Sequence, residues 1–184
     1  MIPVLWALLI ILALVIIMFI AYYNKFIILD QRIKNSLSQI DVQLKKRADL
    51  VPNLIETVKG YAKHEKGIME SVTKARQALV SAKGIVNRVK AGNVLENALG
   101  KLFAIAENYP QLRANENFMQ LQQELSSIED KIAYSRQYYN DSIMSYNSAC
   151  MTFPGNFFAN LYGKTKIEYI KIPEAEKKVP KVSF

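Results

Sequence analysis

The chain has 184 residues, a net charge of +8, 51% apolar residues, one cysteine and one histidine. That length supports one domain with a real core. The single Cys150 excludes a disulfide framework and a cysteine ligand set, the single His64 excludes an H-E-x-x-H zinc site or a pair of Glu-x-x-His motifs, and no glycine-rich phosphate loop is present.

From Ile2 to Tyr23 no side chain is charged. Those 22 residues span roughly 33 Å as a helix, enough to cross a hydrocarbon core of about 30 Å. No Lys or Arg precedes the run and no A-x-A-like cleavage site follows it, so a retained anchor over residues 1–24 is expected rather than a signal peptide. Lys25, Arg32 and Lys34 follow the run against a single Asp30. This charge bias predicts a short N-terminus outside and the rest of the chain in the cytoplasm, a single-pass membrane protein. Tyr22 and Tyr23 sit where interfacial aromatics belong.

Beyond the anchor, Leu29, Ile33, Leu37, Ile40, Leu44, Val51, Ile55 and Val58 recur in steps of three, four and seven, which marks one helix face packed along a seam. Within it, "KKRADLVPNL" places three positive charges and Pro52 in an otherwise unbroken helix. Pro52 removes the bond to the carbonyl of Ala48, which predicts a kink, or a turn that uses Asp49 as its N-cap. The seam keeps phase across Pro52 and favours the kink. In that phase Arg47 or Ala48 falls on the seam, so Arg47 is expected partly buried and then in need of a carboxylate, with Glu107, Glu124 and Glu129 as candidates.

The periodicity runs on through Met69, Val72, Ala75 and Leu79, then loosens between Gly84 and Gly92, which reads as a connection. His64, beside Glu65, reads as a surface or helix-junction residue. Asn93 followed by Glu96 has the spacing of an N-cap with a capping-box partner, which predicts a helix start there. "ENYP" ends that helix, because the residue before Pro110 is pushed from helical dihedrals. From Gln111 to Phe153 there is neither Gly nor Pro, and one long helix is expected, stopped by "FPGN". Cys150 lies on its apolar seam, where a free cysteine acts as a small hydrophobe. In "RQYYNDSIMSYN" the pairs Tyr139–Asn140 and Tyr146–Asn147 repeat at seven residues. They read as a core seam whose phenols and amides meet buried polar groups, or as a polar groove for a partner helix.

After Pro154, Phe157, Phe158, Leu161 and Tyr162 form an aromatic cluster followed by Lys164 and Lys166. "KIEYIKI" alternates like a short strand, and "PEAEKKVPKVSF" reads as an extended tail. An isolated strand must pack on the helices, pair with another copy or stay loose, so a homo-oligomer is open.

The N-terminal span, "SQIDVQLKKRADLVPNLIETVKGYAKHE", "ENYPQLRANENFMQLQQELSSIEDKIAYSRQYYNDSIMSYN", "FPGNFFANLYG" and "VPKVSF" together resemble the LemA family over nearly the whole chain. The resemblance implies an all-α fold: an N-terminal transmembrane helix and a cytoplasmic antiparallel up-and-down four-helix bundle with two long and two shorter helices. It implies no catalytic residues. In this picture the last long helix returns toward the membrane and brings Phe157, Phe158, Leu161, Tyr162, Lys164 and Lys166 to the bilayer surface.

The organisation expected is therefore an anchor (1–24), a helical bundle (25–153), and an aromatic and basic segment with an extended tail (154–184). The function expected is a membrane-anchored scaffold or adaptor on the cytoplasmic face, not an enzyme, with no catalytic, cofactor-binding or metal-binding residue assigned. Its partners would be the lipid bilayer and proteins of unspecified identity. The alternatives are an enzyme or metal protein using His64 or Cys150, or an electrostatic binder of lipid or nucleic acid. Nucleic acid is not expected, because the basic residues do not interleave with stacking aromatics.

Overall fold

The computed structural model describes residues 2–170; the expected tail from residue 171 to 184, including "VPKVSF", lies outside the described residues. Among the described residues the regular structure is helical throughout: α1 (Ile2–Tyr61), α2 (Lys66–Ser81), α3 (Ile85–Ala106), α4 (Pro110–Arg113), α5 (Glu116–Met151) and α6 (Gly155–Leu161). The described residues divide into two compact units, one made of those up to Asn35 and from Tyr138 onward, the other of Ser36–Gln137.

In the Ser36–Gln137 unit, α1 turns Ile40, Leu44, Ala48, Val51, Leu54 and Val58 inward. Steps of three and four residues keep such positions on one face of a helix. Leu79 of α2, Leu95 and Leu102 of α3, and Phe118 and Ile132 of α5 fill the same core. The ring of Phe103 on α3 stands edge-on to Phe118 at 6.0 Å. Pro52 lies inside a continuous α1, so the turn alternative is set aside. The carbonyl that Pro52 leaves without a helical N–H receives Arg76 Nε of α2 instead, at 2.7 Å.

Two expected helix boundaries are corrected. The stretch from Gly84 to Gly92 is not a connection: α3 begins at Ile85, and Asn93 is interior to it rather than an N-cap. Gly84, at φ +76°, makes the break, a backbone conformation glycine adopts without a Cβ penalty. Gly92 is buried and occupies a seam position, and its missing side chain hid the 3–4 spacing there. The long helix expected from Gln111 is likewise interrupted. A four-residue α4 begins at Pro110, and α5 starts at Glu116, where Asn115 Oδ1 accepts the Phe118 N–H at 3.0 Å. An asparagine side chain at an N-cap satisfies an amide the helix cannot, so it starts a helix without any glycine or proline.

In the other unit, Phe26, Leu29 and Ile33 of α1 pack with Ile143 and Tyr146 of α5 and Phe158 of α6, all buried. The Phe26 ring meets Tyr146 edge-on at 6.0 Å. N-terminal to these residues, α1 changes character. Its large side chains from Val4 to Ile20 are each at least 36% exposed, and its most apolar 18-residue window has a mean hydropathy of 3.3, long and apolar enough to cross a membrane. Residues 164–170 form no strand, which corrects the reading of "KIEYIKI" as one over that part.

Candidate functional site

The inward face of α1 that carries Leu44, Ala48 and Val51 also carries Arg47, only 2% exposed. A buried guanidinium needs partners for its donors. Arg47 Nη2 donates to Glu129 Oε2 of α5, and Nη1 donates to the Gly92 carbonyl of α3 at 3.4 Å. Nη1 also lies 3.7 Å from Glu96 Oε2. Gly92 permits this meeting of helices, since a Cβ there would fall 2.6 Å from Leu44 Cδ2. Burial pushes the Arg47 pKa below its ordinary value; the Glu96 charge opposes that and the nearby Arg136 reinforces it. Arg136, itself buried, reaches to 4.0 Å from Glu129 Oε1.

Of the three carboxylates expected for Arg47, Glu129 is the one that pairs. Glu124 instead accepts from Gln120 one helical turn away at 3.0 Å, and Glu107 is the C-cap residue of α3. Glu96, expected to cap a helix, is the partner the sequence reading missed. Its signal was present: once Gly92 is counted as a seam position, Glu96 falls one turn beyond it.

The two asparagines of the repeated Tyr-Asn pairs meet part-buried polar groups, which belong to the backbone of the chain beyond α6. Asn147 Nδ2 donates to the Ile167 carbonyl and its Oδ1 accepts the Ile167 N–H, each at 2.9 Å. Asn140 treats Ile170 the same way, at 3.2 and 3.1 Å. Seven helical residues rise about 10.5 Å and three extended residues span about 10 Å, so the heptad matches the pitch of an extended chain laid along α5. Each amide thus pairs like the neighbouring strand of a sheet. The adjacent phenols of Tyr139 and Tyr146 are buried, and burial raises both their pKa values.

The aromatic cluster also divides. Phe158 is buried, stacked on Tyr22 at 4.6 Å and edge-on to Phe19 at 5.1 Å, while Tyr162 Oη donates to the Phe19 carbonyl at 2.8 Å. Phe157 and Leu161 remain exposed.

His64 stands exposed in the turn between α1 and α2, as a helix-junction residue should. It borders a groove of about 870 Å³ with Lys59, Lys63, Lys66 and Lys74 over a floor that includes Ile55 and Met69. Cys150 is half-buried in the other unit. Burial pushes its thiol pKa up, opposed by a hydrogen bond with Tyr146 and by Lys164 and Lys166. Among the described residues no group of three His, Cys, Asp or Glu is placed to hold a metal ion.

A family model described as the LemA family matches residues 36–184, from the first residue of the second unit onward. The magnetosome protein MamQ of Magnetospirillum gryphiswaldense is 27% identical over 173 residues, covering 80% of this chain and 64% of that protein. Magnetosome protein MamQ 2 of Paramagnetospirillum magneticum is 26% identical over 175 residues, 81% of this chain and 64% of its own. Protein LemA of Metamycoplasma hominis is 25% identical over 149 residues, 80% of this chain and 68% of its own. The chain therefore spans just under two thirds of the length of the MamQ relatives.

Proposed function

The chain belongs to the LemA family, and we propose that it is a non-enzymatic scaffold or adaptor, held to a membrane by the start of α1 and presenting its helices on the cytoplasmic face. The observation that carries this reading is the run of exposed apolar side chains from Val4 to Ile20, on the same helix that buries Ile40 to Val58 in a folded core. One face of that exposed run has no neighbour in water that would repay its hydration, whereas a bilayer would. Lys25, Arg32 and Lys34, against Asp30, support the orientation with the C-terminal part inside. The polar clusters work inward: Arg47 is held by Glu129 and Gly92, and Asn140 and Asn147 hold the chain's own backbone. An up-and-down four-helix arrangement fits the two long and two shorter helices.

A second reading has one observation behind it. The groove beside His64 sets four lysines against a single Glu70, which suits an acidic segment of a partner protein rather than a reacting substrate.

In-cell crosslinking, followed by identification of what copurifies, tests the proposal. A defined protein partner, lost when Lys59, Lys63, Lys66 and Lys74 are changed to Glu, would support it. An enzymatic activity abolished by His64→Ala or Cys150→Ala would overturn it. A reporter fused after Phe184 that is active outside the cell would reverse the orientation.

A further inference from the structure

The short α6 lies against α1 along residues 19 to 26. The Tyr162 hydroxyl donates to the Phe19 carbonyl at 2.8 Å, and the Phe158 ring rests between Tyr22 and Phe19. Both Phe19 and Tyr22 belong to the charge-free run that ends at Tyr23. Helix α6 is therefore set beside the last turns of the apolar segment, not beyond its end.

Helical geometry then sorts the side chains of α6 into three strips. Gly155, Phe158 and Ala159 are buried toward α1. A Cβ on Gly155 would sit 2.2 Å from the Ala149 carbonyl oxygen, so only glycine allows α6 to pack this closely. Asn156 and Asn160 lie on one flank of that strip, exposed. On the other flank stand Phe157 and Leu161, one turn apart, 59% and 54% exposed, and Phe153 just before the helix is 87% exposed. On the neighbouring stretch of α1, Ile20 and Tyr23 are likewise exposed, and Tyr23 meets Tyr162 edge-on at 5.7 Å. Lys25, whose ammonium lies 5.4 Å from the Tyr22 ring, and Lys164 and Lys166 follow immediately, the residue types that meet anionic headgroups.

We propose that α6 is an interfacial helix that inserts Phe153, Phe157 and Leu161 into the leaflet α1 passes through last, giving the chain a second membrane contact beside its anchor. The inference rests on the reading of the start of α1 as a membrane segment. Its occupant is lipid, because the helix that carries the exposed strip is packed against Phe19 and Tyr22, in the last turns of an exposed apolar segment that bare water would not stabilise. Phe158 and Tyr162 are then the joint between α6 and α1 rather than membrane-facing residues, which corrects the expectation that the whole cluster lies on the bilayer.

The test uses the full chain with Cys150→Ser, reconstituted in vesicles of phosphatidylcholine and phosphatidylglycerol. An environment-sensitive fluorophore is attached in turn at Phe157→Cys, Leu161→Cys, Asn160→Cys and Leu12→Cys, and quenched by lipids spin-labelled at shallow or deep positions. The result expected is blue-shifted emission and shallow-lipid quenching at 157 and 161, deep-lipid quenching at 12, and weaker quenching at 160. Deep quenching at 12 with water-like emission at 157 and 161 would overturn the interfacial helix while leaving the anchor in place. Blue-shifted emission at 157 and 161 without lipid quenching would assign the strip to a protein contact and also overturn it. Loss of quenching at 12 would remove the anchor and the proposal with it.

Discussion

Arg76 donates its Nε–H to the carbonyl of Ala48 at 2.7 Å, and that carbonyl is the one Pro52 leaves without its helical partner. A proline inside a helix core is tolerated here because a neighbouring helix completes the bond. The three positive charges that precede Pro52 are incidental to this repair; the residue that makes it is 28 positions from Ala48, on α2.

Arg76→Met leaves a part-buried carbonyl unpaired and should cost about 1–3 kcal/mol. Pro52→Ala restores an N–H at that carbonyl, so the penalty of Arg76→Met should shrink in its presence. Denaturant unfolding of the four variants in detergent reads the coupling. An equal penalty in both backgrounds would show that Arg76 does not replace the proline's bond.

Glu129→Gln should destabilise more than Arg47→Met. The first leaves a guanidinium that is 2% exposed without the carboxylate its Nη2 meets, at about 3 kcal/mol or more. The second leaves Glu96 and Glu129, each 34% exposed, to be hydrated, and a methionine fills much of the vacated volume. Comparing the two denaturation midpoints decides the order.

Asn147→Leu removes both bonds to Ile167 and should free the chain around Ile167 locally, between the points where Tyr162 and Ile170 stay held, while α5 stays folded. A loss of about 1.4 kcal/mol in local opening corresponds to roughly tenfold faster cleavage. Trypsin, cutting after Lys164 and Lys166, followed by mass spectrometry, measures it. Cleavage at the wild-type rate would mean that the amide pair does not hold the segment.

Gly155→Ala and Gly100→Ala should have opposite signs. A Cβ at Gly155 meets the Ala149 backbone oxygen and must push α6 outward, whereas a Cβ at Gly100 in α3 meets nothing within 4 Å. The second change should stabilise by about 0.5–1 kcal/mol through helix propensity. Thermal unfolding in detergent distinguishes them.

Cys150 should alkylate more slowly in the folded chain than in urea, at any pH from 7 to 9, since burial raises its pKa and lowers the thiolate fraction. The sign for stability follows: the folded chain holds the thiol proton more tightly. This contribution is full below the unfolded thiol pKa of about 8.5 and is lost as pH rises through the folded value. Alkylation followed by mass spectrometry against pH checks both statements.

The apolar span, the inward face of α1, the inward draw on Arg47 with its need for a carboxylate, and the family were legible from residue order. Each is set by local periodicity or by a mismatch, such as an arginine in an apolar seam, that demands a partner. The errors came where a residue's role depends on something distant. Gly92 reads as a loop residue until Leu44 presses against it, and Glu96 reads as a cap until Arg47 arrives. Asn115 starts α5 with a side-chain bond that no glycine or proline announces.

By itself, then, the sequence determined which helix faces are apolar, where a membrane-length segment lies, and that one proline and one arginine would need help. Those properties follow from side-chain chemistry at a spacing of 3.6 residues per turn. Only the tertiary structure decided who supplies the help: Arg76 to Ala48, Glu129 to Arg47, and Asn140 and Asn147 to the chain beyond α6. It also decided which half of the aromatic cluster is joint and which is exposed. Hydrogen-bond partners tens of residues apart are selected by how the helices pack, and packing is a property of all the faces together.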